Sequence, residues 1–139
     1  MLVLDTPVLA ALMQNQPDQR VVGWLDAQAP ASVWTTTLTV AEVEASLAQV
    51  GDVAERGRLQ GAFAAVLSDD LSGRVLAFDR AAASASAALA ARERSTGRQL
   101  STRDALIAGM VLARRGTLAT REPERFTRMG VKALNPWRT

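Results

Sequence analysis

The chain has 139 residues, 48% of them apolar and 22% charged, which is the size and composition of one globular domain rather than a disordered segment. It holds neither cysteine nor histidine, so disulfides, thiolate nucleophiles, Cys/His zinc sites and imidazole bases are excluded. Net charge is only +2, yet Lys132 is the single lysine among 16 cations and the rest are Arg.

Any chemistry must therefore rest on carboxylates, hydroxyls, Arg, Lys132 or an ion held by oxygen. The planar guanidinium fork matches phosphate oxygens, so the Arg excess is compatible with nucleic acid; a codon bias toward Ala and Arg would also produce it. With three Trp, three Phe and no Tyr, the core is expected to be Ala, Leu and Val, and wide base-stacking platforms are not expected.

Leu2 to Leu4 is short, continuous and apolar, the pattern of a strand buried on both faces. The run meets Asp5 without a basic leader, and no apolar stretch is long enough to span a bilayer, so a cytoplasmic protein is expected. Thr6-Pro7 reads as a helix start with Thr6 as N-cap. A second helix is expected from about Asp18, with Val21, Val22, Trp24 and Leu25 facing inward.

Ser32 to Thr37 (SVWTTT) is rich in β-branched residues and reads as the second strand. Thr39-Val40-Ala41-Glu42 has capping-box spacing and is expected to open the next helix. Residues Val53 to Leu71 read as an amphipathic helix weakened by Gly57 and Gly61, and Arg74 to Ala77 as a short strand. Asp79 should cap a long Ala-rich helix that stops near Gly97.

Ser101-Thr102-Arg103-Asp104 is a second capping box, opening a helix that ends at Gly116. Thr117 to Thr120 reads as a strand, Pro123 to Phe126 as a short helix, and Val131 to Leu134 as the last strand. No repeat and no Pro/Gly/Ser-rich joint divides the chain, so residues 1–139 form one domain. Strands alternating with helices imply an α/β fold with a parallel sheet covered on both faces.

In such sheets ligands bind beyond the carboxyl ends of the strands, where strand order reverses. Four acids fall at that edge: Asp5 after the first strand, Glu42 and Asp104 early in their helices, and Glu122 after the Thr117–Thr120 strand. Carboxylates gathered together repel one another and call for a cation, and oxygen-only ligation suits Mg²⁺ or Mn²⁺. An ion so held would activate water and orient a phosphodiester without His or Cys. Each acid also has a structural reading. Glu42 and Asp104 occupy capping-box positions, and Glu122 can stand in as an N-cap before Pro123. Asp5 is the exception, because a carboxylate one residue past a buried strand is costly unless paired or coordinated.

At Val3-Leu4-Asp5-Thr6, Thr39-Val40-Ala41-Glu42 and Ser101-Thr102-Arg103-Asp104-Ala105-Leu106-Ile107-Ala108, the chain resembles PIN-domain proteins, specifically VapC/FitB-like toxins of bacterial type II toxin–antitoxin pairs. The likeness extends over Val21 to Gln28, Gly73 to Asp79, Leu118-Ala119-Thr120-Arg121 and the closing Leu134-Asn135-Pro136-Trp137. It implies a three-layer α/β/α sandwich with a central, mainly parallel sheet. It also implies Mg²⁺- or Mn²⁺-dependent endoribonuclease activity on an RNA substrate, homodimers, and inhibition by a small DNA-binding antitoxin. Carried over by motif, the catalytic and metal-binding acids are Asp5, Glu42, Asp104 and Glu122, with Thr6 in support through its hydroxyl.

Two departures stand out. Pro7 replaces the Asn that commonly follows Leu-Asp-Thr; the fourth acid is Glu122, one methylene longer than the common Asp, and Arg125 stands where an Asp is common three residues later. Pro7 and Glu122 motivate a second reading, a catalytically weakened module that binds RNA or an antitoxin without efficient turnover. A phosphotransfer domain with Asp5 as acceptor fits poorly, because no acid lies two residues on and Lys132 is the only amine.

Overall fold

Five short strands pair in the order β3-β2-β1-β4-β5, and every pairing is parallel. They are β1 (Leu2–Leu4), β2 (Val33–Thr36), β3 (Val75–Leu76), β4 (Thr117–Ala119) and β5 (Ala133–Leu134). Seven α-helices connect and cover them: α1 (Thr6–Leu12), α2 (Gln19–Asp26), α3 (Thr37–Ala48), α4 (Val53–Ala65), α5 (Arg80–Ser95), α6 (Thr102–Ala113) and α7 (Pro123–Thr127). The computed structural model describes residues Met1–Thr139.

Successive strand residues point to opposite faces, and the core divides accordingly. Val3, Leu76 and Leu118 pack with Leu89 of α5 and with Ile107, Met110 and Val111 of α6. Leu4, Val33 and Ala119 pack on the other face with Val8, Leu9, Val21, Val43, Leu47 and Phe63, from α1 to α4. The result is the expected three-layer α/β/α sandwich, with a sheet that is wholly rather than mainly parallel. No helix is long and apolar enough to cross a membrane.

Several boundaries depart from the sequence reading for identifiable reasons. The strand expected through Thr37 ends at Thr36, whose hydroxyl accepts the Thr39 N–H at 3.0 Å and caps α3. Thr39 is therefore an inner residue of the first turn and not the cap, and Glu42 lies beyond that turn. Likewise Asp5, not Thr6, caps α1: its carboxylate accepts the Thr6 N–H at 2.9 Å. The helix expected to run to Leu71 ends at Ala65 and passes into a π-turn over Val66–Asp70. Asp18, Asp52 and Asp79 cap α2, α4 and α5 through their side chains, and Gly97, at φ +74°, follows the last turn of α5.

Candidate active site

The chain builds β1, β2 and β3 outward in one direction, then returns to add β4 and β5 on the other side of β1. The reversal lies between β1 and β4, and their carboxyl ends open the crevice where parallel sheets bind ligands. Asp5 leaves β1 at this point. Its N–H donates to the Ala119 carbonyl at 3.0 Å, which fixes the backbone, and the Thr120 hydroxyl donates to Oδ2 at 2.8 Å. Only 3% of Asp5 is exposed. Such a carboxylate needs strong partners, and two hydrogen-bond donors meet it from its own helix start and from the end of β4.

The main counter-charge comes from α6. The Arg103 guanidinium donates to Asp5 Oδ1 through Nη2, to Glu42 Oε1 through Nε at 2.6 Å, and to Asp104 Oδ1 through Nη1 at 3.4 Å. One cation thus bridges three acids carried on β1/α1, α3 and α6. The Thr6 hydroxyl donates to Glu42 Oε2 at 2.8 Å, holding that side chain toward the cluster. Arg125 donates to Asp104 Oδ2 through Nη2 and to Glu122 Oε2 through Nη1 at 3.0 Å. Glu122 has 63% of its side chain exposed, against 8% for Asp104. It lines the same groove as Asp5 and Glu42 but touches the other acids only through Arg125.

Ser101 caps α6 by accepting the Asp104 N–H at 3.1 Å, as the capping-box spacing predicts. The reciprocal half of the box is not made: the Asp104 carboxylate turns into the crevice and spends both oxygens on Arg103 and Arg125. Glu42, past the first turn of α3, is no capping residue at all. The structural reading of both acids is therefore weaker than their spacing suggested.

Charge balance in the crevice shifts these groups in a consistent direction. Burial alone would raise the Glu42 carboxyl, but hydrogen bonds from Arg103 and Thr6 hold it below its ordinary value. Burial opposes ionisation of Asp104 in the same way, and Arg125 and then Arg103 overcome it. Arg103 is desolvated, which works against its charge, yet Glu42 and Asp5 raise its affinity for its proton. Paired with these guanidinium groups, Glu42 and Asp104 both favour their charged forms.

The PIN domain family matches residues 2–132, from β1 to the approach of β5. The chain belongs to the PIN domain family. VapC ribonuclease Y4jK of Sinorhizobium fredii is 34% identical over 137 residues, covering 99% of this chain and 98% of that protein. Toxin FitB of Neisseria gonorrhoeae is 29% identical over 137 residues, 99% of each chain. The crystal structure of FitAcB from Neisseria gonorrhoeae shares the fold over the full length of both chains, with a TM-score of 0.90 at 29% identity.

In this PIN domain the sequence reading had named the acids and Thr6, and the fold gathers Asp5, Glu42 and Asp104, with Glu122 at the rim. It had missed Thr120, which anchors Asp5, and given Arg103 no role. Arg103 sits beside Asp104 in the first turn of α6, and an arginine adjacent to one acid of a converging set is the available signal. The donor set is entirely oxygen, carboxylates with the hydroxyls of Thr6 and Thr120 nearby, and this chemistry fits a hard divalent cation. With Arg103 between them, no three of the acids stand close enough to share one ion. The positive charge these acids require is supplied here by the Arg103 and Arg125 guanidinium groups.

Proposed function

We propose that this PIN domain is a metal-dependent endoribonuclease and the toxin of a toxin–antitoxin pair. The observation that supports it most is the meeting of Asp5, Glu42 and Asp104 on one cationic group at the topological switch point. Asp5, Glu42 and Asp104 would hold Mg²⁺ or Mn²⁺, with Glu122 the outermost acid of the set. The bound ion would supply activation of water and stabilisation of charge on a phosphodiester. Thr120 and the Thr6 N–H orient Asp5, and the Thr6 hydroxyl orients Glu42, so that the carboxylates are preorganised. The Arg103 side chain is 32% exposed at the groove, and its guanidinium would face a phosphate bound there. The partner expected in the cell is a small DNA-binding antitoxin, in keeping with the resemblance to VapC/FitB-like toxins.

The direct test is cleavage of single-stranded RNA by the purified protein. Cleavage is expected with Mg²⁺ or Mn²⁺, none with chelator, and none from Asp104→Asn. Cleavage that survives in chelator, or in Asp104→Asn freed of contaminating nucleases, would sink this reading. The pairing of both Asp104 oxygens with Arg103 and Arg125 favours a second reading, a module that binds RNA or its partner without efficient turnover. Robust cleavage by the unmodified protein excludes it.

A further inference from the structure

The carboxylate groove shares Pro7 and Arg121 with a second groove along α1, whose other polar and aromatic lining is Gln14, Gln16, Trp137 and one acid, Asp18. Arg121 stands at the junction, one residue after Thr120. Its guanidinium lies over the Trp137 ring, 4.2 Å from the centroid. Unlike Arg103 and Arg125, which are spent on the acids, the Arg121 side chain makes no ion pair and no hydrogen bond.

The stack is held from behind. Buried Asn135 donates through Nδ2 to the Arg121 carbonyl at 3.1 Å and accepts the Trp137 N–H on Oδ1 at 2.9 Å. A single side chain thereby ties together the two backbone segments that carry the pair. Trp137 also packs on the core. Its ring holds the guanidinium in place, and Arg121 itself is exposed.

A pinned guanidinium with a free face and free N–H groups has a specific chemical use. Unstacked bases of single-stranded RNA stack on guanidinium planes, and the guanidinium edge donates to phosphate oxygens. The chain has few aromatics, and this arrangement supplies a planar platform without an exposed ring. It also places unpaired positive charge beside an acidic crevice that otherwise repels a phosphate backbone.

We propose that Arg121, held on Trp137 by Asn135, is a nucleotide-binding subsite that stacks a base of single-stranded RNA next to the phosphodiester at the carboxylate cluster. This rests on the ribonuclease reading for its substrate, and its test separates the two. The affinity of the full-length protein for a fluorescent single-stranded oligoribonucleotide is measured in chelator, and compared with the same oligonucleotide carrying abasic positions. The unmodified protein is expected to bind the intact strand about tenfold more tightly. Arg121→Ala should lose about that factor and no longer distinguish the two strands. Arg121→Lys keeps the charge but not the plane, and should likewise fail to distinguish them. It also carries the test should Arg121→Ala not fold.

The proposal is overturned if Arg121→Lys discriminates as well as the unmodified protein, or if a folded Arg121→Ala binds the intact strand equally tightly. If the unmodified protein binds no RNA in chelator, the subsite proposal fails, and cleavage with Mn²⁺ then decides the ribonuclease reading by itself. Metal-dependent cleavage with no dependence on Arg121 overturns the subsite alone. Base-dependent binding through Arg121 without cleavage supports the subsite and removes the ribonuclease reading alone.

Discussion

At Arg103 one guanidinium faces three carboxylates, and removing it leaves Asp5 almost wholly buried with only hydroxyl and backbone donors. Breaking a fully buried ion pair costs roughly 3–5 kcal/mol; because this cluster reaches solvent, Arg103→Ala is expected to cost about 2 kcal/mol in metal-free protein. If a divalent cation takes the same place, Mn²⁺ should restore more of the melting temperature in Arg103→Ala than it adds to the unmodified protein. Calorimetric scans with and without Mn²⁺ check this, and equal Mn²⁺ shifts would contradict it. Acid acts on the same cluster. Glu42 and Asp104 are held below their ordinary values of 4.5 and 3.8, so their contribution is present above those values and is lost as pH falls through the depressed ones. Metal-free protein should therefore lose stability progressively below about pH 4, and Asp104→Asn should make that loss shallower in denaturation midpoints followed against pH.

Between elements, α5 and α6 approach each other closely at Gly109. A Cβ built on Gly109 would lie 1.8 Å from Ser86 Oγ, 2.7 Å from the Ser86 nitrogen and 2.8 Å from the Ala82 carbonyl oxygen. Two of those atoms are backbone, so the helices must separate to admit a methyl group. Gly109→Ala gains about 1 kcal/mol of helix propensity, yet it is expected to destabilise the protein by a net 1–3 kcal/mol or so in chemical denaturation. Ser86 Oγ is buried without a hydrogen-bond partner, so Ser86→Ala should be neutral or mildly stabilising by the same measurement. The small-residue run of α5 was legible in the sequence as helix, because Ala and Ser at those positions leave no other strong preference. That it lets α6 approach at Gly109 was not legible, since nothing local pairs position 86 with position 109. The start of α3 shows the same limit. Thr36, Thr37 and Thr39 can each cap, and spacing favoured Thr39; the pairing of β2 with β3 carries the strand to Thr36, where it ends, and gives the role to Thr36.

Across the whole molecule, the order β3-β2-β1-β4-β5 puts the ends of β1 and β4 side by side and carries α3 and α6 over the same edge. The strand–helix alternation made this layering legible, and Asp5 stood out because an acid directly after a buried strand needs a reason. The same alternation placed Glu42 and Asp104 at that edge, but only the family motifs set them apart from ordinary capping acids. Their spacing matched ordinary caps, and the distance between α3 and α6 is set by the packed sheet rather than by any local signal. Arg103 as the shared partner follows from that convergence and could be read only after it. On the proposed reading, the three acids form a cation site whose place Arg103 fills in this structure. A manganese-soaked crystal, read by anomalous scattering, tests it most directly. One manganese peak bounded by Asp5, Glu42 and Asp104 is expected, with the Arg103 guanidinium moved off them; manganese absent from the crevice at saturating concentration, with Arg103 still bridging the acids, would rule the cation site out.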